Sequence, residues 1–223
     1  MVAMVNSVAK PLGGHAPKPL CAGFVRNSFV DWPARISFVV FLGGCNFRCP
    51  HCHNHNIMGS TSNTTPWDSV VCEIRAQIGF IDGVVISGGE PTTHPNLRQI
   101  IDDILALGLD VKLDTNGSNF EILRDLVTAG KLSAVAMDIK CPFDRYVELG
   151  FCKDPSIVES VRRSFDFLRD VSWGTTSPKP SVYFRTTPIP ELTEHDFAGI
   201  ETLVNGLNWT RNTFVPLDKH AKS

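Results

Sequence analysis

Three of the seven cysteines stand close together in the sequence, and their thiols could bind a metal ion or an iron–sulfur cluster. Three residues separate Cys45 from Cys49, and two separate Cys49 from Cys52. An odd number of cysteines cannot all pair in a disulfide framework, and a chain of 223 residues can bury enough apolar surface without one. Soft thiolate ligands suit either zinc or a 4Fe-4S cluster. No fourth cysteine lies in this segment, so a cluster bound here would keep one iron open to a substrate.

A structural zinc site is the alternative for the same segment. His53 or His55 could supply the fourth ligand of a Cys3His site, and the chain would then be a zinc-stabilised binding module without catalytic activity. A role in packing alone is disfavoured, because a protein core rarely needs three thiols at such short spacing. The spacing by itself leaves the cluster and the zinc site open.

The segments that must position these thiols alternate between strand-like and helix-like patterns. Apolar stretches rich in β-branched residues predict six strands, at 36–42, 83–87, 110–114, 133–139, 181–186 and 212–217. Five helical patterns lie between them, with Thr65 and Thr193 as predicted N-caps and Asp154 at the start of the fourth helix. This alternation predicts an α/β fold with a parallel sheet. The sheet is expected to curl into a partial (β/α)6 TIM-like barrel, because a full eight-unit barrel needs about 250 residues.

Polar and glycine residues follow the predicted strands at their C-terminal ends. They are Ser87, Gly88, Gly89 and Glu90 after the second strand, Asp114, Thr115 and Asn116 after the third, Asp138 and Lys140 after the fourth, and Arg185 on the fifth. Each has a structural explanation when taken alone, such as a tight turn, a helix cap or a surface salt bridge. Because parallel strands end on one rim, we expect these residues to meet the cysteines there, where α/β enzymes assemble their sites.

The order and spacing of these residues resemble the radical S-adenosylmethionine (SAM) superfamily. The arrangement Cys45-x-x-x-Cys49-x-x-Cys52 after the first strand is similar to the signature of that superfamily, and the Gly-Gly-Glu turn at 88–90 is similar to its second motif. Further segments, including 29–33, VKLDTNG, VAMDIK and YFRTT, resemble anaerobic ribonucleoside-triphosphate reductase activating proteins, which are glycyl-radical-enzyme activases. The resemblance covers roughly residues 24–217, so it implies a radical SAM domain at 23–223 after an N-terminal extension at 1–22. The sequence does not decide whether that extension is ordered.

This resemblance implies a reaction and its cofactors. Cys45, Cys49 and Cys52 would hold one 4Fe-4S cluster, whose open iron would bind SAM and deliver the electron that cleaves it to methionine and a 5′-deoxyadenosyl radical. The radical would take a glycine α-hydrogen from a glycyl radical enzyme, an anaerobic ribonucleotide reductase being the expected partner. A flavodoxin- or ferredoxin-like protein would donate the electron. Within the superfamily, a small-molecule enzyme such as a modified-nucleoside synthase is the alternative.

The resemblance also implies roles for single residues. Gly88, Gly89 and Glu90 would hold the methionine amino group of SAM, and Lys140 and Arg185 its carboxylate or ribose. Asp114, Thr115, Asn116 and Asp138 would line SAM and a nearby monovalent cation, and Val215 would touch adenine. His51 replaces the aromatic residue usual before the third cysteine, and its imidazole could lie against adenine.

The four remaining cysteines, Cys21, Cys72, Cys141 and Cys152, form no second cluster motif, and Cys72 is expected in the core. The 172–180 stretch is predicted as a surface loop.

Charge and hydropathy exclude two classes of partner. The chain has 21 Lys and Arg against 23 Asp and Glu, so no net basic field supports binding to nucleic acid or to an anionic membrane. The longest uninterrupted apolar run, 38–42, is far too short to span a bilayer. The first twenty residues lack the continuous apolar stretch of a signal peptide. We therefore expect a cytoplasmic protein without nucleic-acid or membrane partners.

Overall fold

The computed structural model describes residues 20–57, 64–174 and 179–216, which fold around one mostly parallel sheet. The strands in chain order are β1 (Leu20–Cys21), β2 (Gly23–Ser28), β3 (Ser37–Leu42), β4 (Thr65–Pro66), β5 (Gly83–Gly88), β6 (Asp110–Thr115), β7 (Ala134–Asp138), β8 (Ser181–Thr186) and β9 (Trp209–Arg211). Seven of them form the sheet in the order β2-β3-β5-β6-β7-β8-β9, while β1 and β4 form a separate antiparallel pair. All neighbours in the sheet are parallel except β2, which runs antiparallel to β3.

Five helices connect the successive parallel strands. They are α1 (Trp67–Arg75), α2 (Leu97–Ala106), α3 (Phe120–Thr128), α4 (Pro155–Trp173) and α5 (Glu194–Leu203). The order of the sheet is linear and does not pair β2 with β9, so the barrel is open. The predicted α/β class, with a partial TIM-like barrel of six parallel strands, is therefore confirmed. None of the helices in the described ranges is long and apolar enough to cross a membrane.

The two faces of the sheet carry different side chains because successive strand residues point to opposite sides. One face packs into the main apolar core with the helices, through buried residues such as Val84, Ile86, Val111 and Leu113. The opposite, concave face carries a small apolar cluster at its lower end, toward the N-terminal ends of the parallel strands, formed by Trp32, Val39, Val85 and Ala134. The next layer of that face is mixed, and its polar members Ser87 and Asp114 lie beside apolar ones such as Ala136.

Two of the predicted helix starts agree with the structure and one does not. The Asp154 carboxylate caps α4 by accepting from the Ser156 backbone N–H at 2.9 Å. Thr193 caps α5 in a capping box with Asp196. The predicted Thr65 cap is wrong, because Thr65 pairs with Cys21 in the small β1–β4 ladder and α1 begins at Trp67 without a side-chain cap. Strand pairing by the preceding segment overrides the local capping signal.

Three other sequence predictions need correction. The last strand is Trp209–Arg211 rather than 212–217, and residue 217 lies outside the described ranges. The antiparallel edge strand β2 was missed, because its residues show no alternation of buried and exposed positions. Cys72 is exposed on α1 and is not part of the core.

Two predicted segments lie partly or wholly outside the described residues. Residues 1–19 of the predicted extension are not described, and its boundary at residue 22 stays a prediction. In the predicted 172–180 loop, Ser172 and Trp173 continue α4, while 175–178 lie outside the described ranges.

Candidate active site

The three clustered cysteines line one cavity of about 210 Å³ at the C-terminal rim of the strands. Their loop follows β3 and is anchored to the core at two points. The Phe47 ring is only 1% exposed and packs edge-on against Tyr146, with ring centroids 6.1 Å apart. The Arg48 backbone N–H donates to the Phe151 carbonyl at 2.9 Å. These contacts fix the backbone that carries the thiols.

The Gly-Gly-Glu turn after β5 packs directly against the backbone of the cysteine loop. Gly88 has a φ of +117°, and a Cβ there would overlap the backbone of Leu42. A Cβ on Gly89 would overlap the carbonyl of Gly44. The Asn54 amide closes the contact by donating to the Gly88 carbonyl at 2.6 Å. The two glycines are therefore required for the close approach of the two loops, a purpose separate from any ligand contact.

The Glu90 carboxylate is 1% exposed and is surrounded by hydrogen-bond donors of the protein. One carboxylate oxygen accepts from the backbone N–H of Thr92 at 3.1 Å, from the Thr92 hydroxyl and from the Thr115 hydroxyl at 2.7 Å. The other oxygen accepts from the Asn116 backbone N–H at 2.7 Å. Burial raises the pKa of Glu90, and these hydrogen bonds oppose the rise. The side chain thus ties the turn after β5 to the end of β6.

We expect Glu90→Gln to destabilise the protein even without any ligand. Gln has one acceptor oxygen instead of two, so its NH2 group would face the Asn116 N–H or the three donors on the other side. A buried donor left without an acceptor costs about 1–3 kcal/mol, and the free energy of unfolding should fall by that amount in urea titration. Glu121→Gln is the matched control, because Glu121 is about half exposed on α3. Equal stability of the two variants would contradict the structural role of Glu90.

A chain of five alternating charges crosses the concave face, and four of its members line the cavity. Lys112 on β6 bonds to Asp114, and Asp114 also accepts from Arg185 Nη1 on β8 at 3.1 Å. Arg185 Nε donates to Asp138 on β7 at 2.9 Å, and Lys140 Nζ donates to the same carboxylate at 2.8 Å. The series Lys112–Asp114–Arg185–Asp138–Lys140 is called the charge ladder below. Ala136, which lies between Asp114 and Tyr183 in the register, leaves room for Arg185 to span the two carboxylates.

The charge ladder has one more positive than negative group, and the lysine at one end, Lys140, interacts with the charge of the Cys49 thiol. Burial by itself would raise the pKa of Asp138, but Arg185 and Lys140 outweigh burial and hold that pKa well below its usual value. Burial would likewise lower the pKa of Lys140, but Asp138 and the Cys49 thiol raise it. Burial raises the pKa of Cys49, and Lys140 opposes that rise. Lys140 therefore favours negative charge on Cys49 and on any anion bound in the cavity.

Comparison with known proteins identifies the superfamily. The sequence profile of the Radical SAM superfamily matches residues 39–204, which is most of the chain. The match begins within β3 and contains the whole of β5, β6, β7 and β8. The chain belongs to the radical SAM superfamily. Its members use a 4Fe-4S cluster and SAM, so this chain is a radical SAM enzyme.

Two proteins with similar sequences have names that indicate different activities. A protein of Methanocaldococcus jannaschii, named provisionally as a glycyl-radical enzyme activating enzyme, is 37% identical over 182 residues, covering 80% of this chain and 72% of that protein. The 7-carboxy-7-deazaguanine synthase of Aquifex aeolicus is 32% identical over 82 residues, covering 37% of this chain and 36% of the synthase. Among solved structures, SuiB of Streptococcus suis is similar with a TM-score of 0.59 at 12% identity. That match covers 82% of this chain and 40% of SuiB, and it supports the fold alone.

The thiols of this radical SAM chain are chemically suited to a multi-iron cluster. Burial raises the pKa of Cys45 to about 11, so this thiol needs a bound cation to become a thiolate at neutral pH. Within the described residues, no three His, Cys, Asp or Glu side chains are arranged to hold a single metal ion. His53 bonds to the Val215 carbonyl at 2.9 Å, and His55 bonds to the Cys52 carbonyl at 3.2 Å. The two histidines considered as a fourth zinc ligand thus bond to backbone carbonyls, which favours the cluster over a Cys3His zinc site.

Of the residues predicted for SAM, all but one line the cavity. The lining includes His51, Gly88, Gly89, Glu90, Asp114, Thr115, Asn116, Asp138, Lys140 and Arg185. The His51 Nε2 lies 2.9 Å from the Glu191 carboxylate, and its ring meets Phe214 edge-on at 5.2 Å. Val215 does not line the cavity and is 56% exposed. The specific ligand contacts assigned to these residues remain predictions.

Sequence reasoning missed several residues that bring the loops together. Asn46 links the cysteine loop to the segment after β6, since its amide donates to the Ser118 hydroxyl at 2.8 Å and its carbonyl accepts from the Asn116 amide at 3.3 Å. Asn54 forms the contact with Gly88 described above. Both asparagines lie in or beside the cysteine motif, which was the available signal. Thr187 and Ile189 also line the cavity. Thr187 ends the YFRTT segment but was given no role, and Ile189 follows that segment without any motif.

Proposed function

We propose that this radical SAM enzyme is a glycyl-radical-enzyme activase. It holds a 4Fe-4S cluster through Cys45, Cys49 and Cys52, binds SAM beside it, and takes an α-hydrogen atom from a glycine of a partner protein. The hydrogen ends in 5′-deoxyadenosine, and the unpaired electron stays on the partner as a glycyl radical. The proposed partner is an anaerobic ribonucleotide reductase. A reduced flavodoxin- or ferredoxin-like protein of the cytoplasm supplies the single electron.

One observation carries this proposal. The relative named for glycyl-radical activation matches over 72% of its own length, whereas the deazaguanine synthase matches over 36%. The first match spans 182 residues and 80% of this chain, whereas the second spans 82 residues and 37% of this chain.

The residues of the chain have defined tasks in this reaction. When bound, the cluster and SAM supply the reductive cleavage of the sulfonium that yields methionine and a 5′-deoxyadenosyl radical. Lys140 beside Cys49 favours the thiolate that a cluster ligand requires. Lys140 and Arg185 offer cationic donors to the carboxylate of SAM, and such charge-assisted hydrogen bonds are about twice as strong as neutral ones. We assign Gly88, Gly89 and Glu90 to the methionine amino group of SAM, as the resemblance implies; the Gly88 carbonyl already accepts from the Asn54 amide.

The open barrel agrees with a protein substrate. The sheet ends at β2 on one side and at β9 on the other, and no strand of the described ranges bridges these edges. A glycine inside a polypeptide needs space on both sides of its α-carbon. An open side of the barrel gives the flanking residues of such a segment a path to the rim.

A small-molecule radical SAM enzyme is the second candidate. It is favoured by the local matches to 7-carboxy-7-deazaguanine synthase and to GTP 3′,8-cyclases, which act on small molecules according to their names. The motifs themselves do not distinguish the two classes, because both classes need the same cluster and SAM.

Electron paramagnetic resonance distinguishes the two candidates. The reconstituted and reduced enzyme is mixed anaerobically with SAM and with each glycyl radical enzyme of the same genome, the anaerobic ribonucleotide reductase first. We expect a glycyl radical signal on one partner, with formation of 5′-deoxyadenosine. With partner containing α-deuterated glycine, deuterium should appear in the 5′-deoxyadenosine. The control is a partner whose radical-bearing glycine is replaced by alanine.

SAM consumption without a radical on any of these partners would refute the activase proposal. Deuterium-free 5′-deoxyadenosine in the presence of the labelled partner would refute it as well. Either result would favour the small-molecule candidate.

A further inference from the structure

The two carboxylates expected to bind a monovalent cation are already bonded to cationic side chains. Asp114 is bonded to Lys112 and Arg185, and Asp138 is bonded to Arg185 and Lys140. Resemblance to radical SAM activases implies a monovalent cation near Asp114, Thr115 and Asp138. The side chains at these positions do not fit that group, because the oxygens that would ligate it accept from Lys and Arg.

Lys112 is the least expected member of the charge ladder. Its side chain is 2% exposed, and its ammonium bonds to Asp114 two residues further along β6. The register places Lys112 between Val85 on β5 and Ala134 on β7, both of which belong to the lower apolar cluster. A buried ammonium is stable only beside a compensating negative charge, and here Asp114 provides it. Lys112 and Asp114 therefore depend on each other.

Counting charges gives the same result. The charge ladder has three cations and two anions within a partly buried region, and a metal cation would raise its net charge from +1 to +2. Like charges repel strongly in a medium of low dielectric constant. An ammonium group also resembles a potassium ion in charge and in size. Lys112 can therefore occupy, as part of the chain, the place of an exchangeable ion.

We propose that Lys112, with Arg185, replaces the monovalent cation of this radical SAM site. Lys112 is a positioning residue, because it contacts Asp114 and does not line the cavity. It holds the Asp114 carboxylate in place and neutralises it whatever ions the solution contains. The proposal rests on the radical SAM site and not on the identity of the partner protein.

The first experiment uses the wild-type holoenzyme. The anaerobically reconstituted protein is placed at equal ionic strength in tetramethylammonium, sodium or potassium chloride, since tetramethylammonium is too large for a buried ion site. SAM affinity is measured by equilibrium titration, and the melting temperature by calorimetry. We expect the three affinities to agree within about twofold and the melting temperatures to coincide. A SAM affinity at least about tenfold higher in sodium or potassium would overturn the proposal.

The second experiment uses substitutions of Lys112. Lys112→Ser removes the ammonium and leaves space beside Asp114, so SAM affinity in tetramethylammonium should fall and should recover about tenfold in potassium chloride. Lys112→Arg keeps the charge and should stay independent of the salt. Lys131→Ser is the control, because Lys131 forms an exposed pair with Asp102. If Lys112→Ser binds SAM like wild type in tetramethylammonium, the proposal is wrong.

If Lys112→Ser does not fold, the comparison of the three salts with the wild-type protein still tests whether Lys112 and Arg185 replace the cation. Both readouts involve only the holoenzyme and SAM. A failure to find a glycyl radical partner would therefore leave this result unchanged, and the two proposals fail independently.

Discussion

Replacement of Cys49 by alanine is expected to abolish both cluster binding and SAM cleavage. Cys49 lines the cavity together with Cys45 and Cys52. The positive charge of Lys140 acts on the Cys49 thiol and opposes the rise of its pKa. Loss of one thiolate leaves two protein ligands for a cluster that would have three. Substitution of a residue that only hydrogen-bonds to a metal ligand already lowers metal affinity or activity about 10–100-fold. Removal of the ligand itself should therefore lower both by more than about a hundredfold.

The measurement compares iron, sulfide and 5′-deoxyadenosine in the wild type and two variants. The wild type should carry about four irons per chain after anaerobic reconstitution, and Cys49→Ala should carry almost none. Cys72→Ala is the matched control, because Cys72 is exposed on α1 and does not line the cavity. It should keep its iron and its activity. Retained SAM cleavage by Cys49→Ala would show that the three cysteines are not the cluster ligands.

Asp138→Asn is expected to destabilise the protein strongly. Asp138 lies between Arg185 and Lys140 with its side chain 28% exposed, so the substitution leaves two neighbouring cations without their shared anion. Breaking a fully buried ion pair costs about 3–5 kcal/mol, and partial exposure should reduce the cost here to about 2–3 kcal/mol. For a chain of this size the melting temperature should fall by roughly 5–10 °C.

The matched control for this prediction is Asp125→Asn on the surface. Asp125 also lies between two arginines, Arg98 and Arg124, but its side chain is 43% exposed. Exposed ion pairs contribute about 0–1 kcal/mol, so this control should melt within about 3 °C of the wild type. If the two substitutions lowered the melting temperature equally, burial of the charge ladder would not increase its contribution to stability.

The effect of Asp138→Asn should also depend on pH. The pKa of Asp138 is held below its usual value of about 3.9, so its carboxylate stabilises the folded state fully above that value. As the pH falls below about 4, the unfolded chain binds the proton first and this contribution decreases. The difference in unfolding free energy between wild type and Asp138→Asn should therefore shrink on acidification. A constant difference from pH 7 to pH 3 would contradict the ion-pair explanation.

Much of the fold could be predicted because the relevant signals are local. The strand at 181–186 was predicted with its correct bounds, and the capping box of Thr193 with Asp196 forms as predicted. Both leave a signal in residues that are neighbours in the sequence. The Thr65 cap failed because β1, more than forty residues earlier in the chain, takes Thr65 into a strand pair. The antiparallel β2 was missed for a similar reason, since its order comes from pairing with β3 rather than from its own pattern.

The site shows the same division. Chain order and strand direction were enough to bring the cysteines, the Gly-Gly-Glu turn and the residues after β6 and β7 to one rim. Spacing could not show that the Glu90 carboxylate is occupied by Thr92, Thr115 and Asn116. Lys112 did leave a signal, because residues two apart in a strand share a face, and a lysine two before Asp114 in an apolar strand must find a partner.

The superfamily motifs, the alternation of strands and helices, and the rim on which the reactive residues meet can be read from the amino-acid sequence. These follow from spacing and periodicity, which are properties of short segments. The charge pairs across β6, β7 and β8, and the position of Val215 outside the cavity, become visible in the folded chain. Pairing between strands depends on register and on the sizes of the side chains between them, such as Ala134 and Ala136. No local pattern contains that information, because the interacting residues are far apart in the chain.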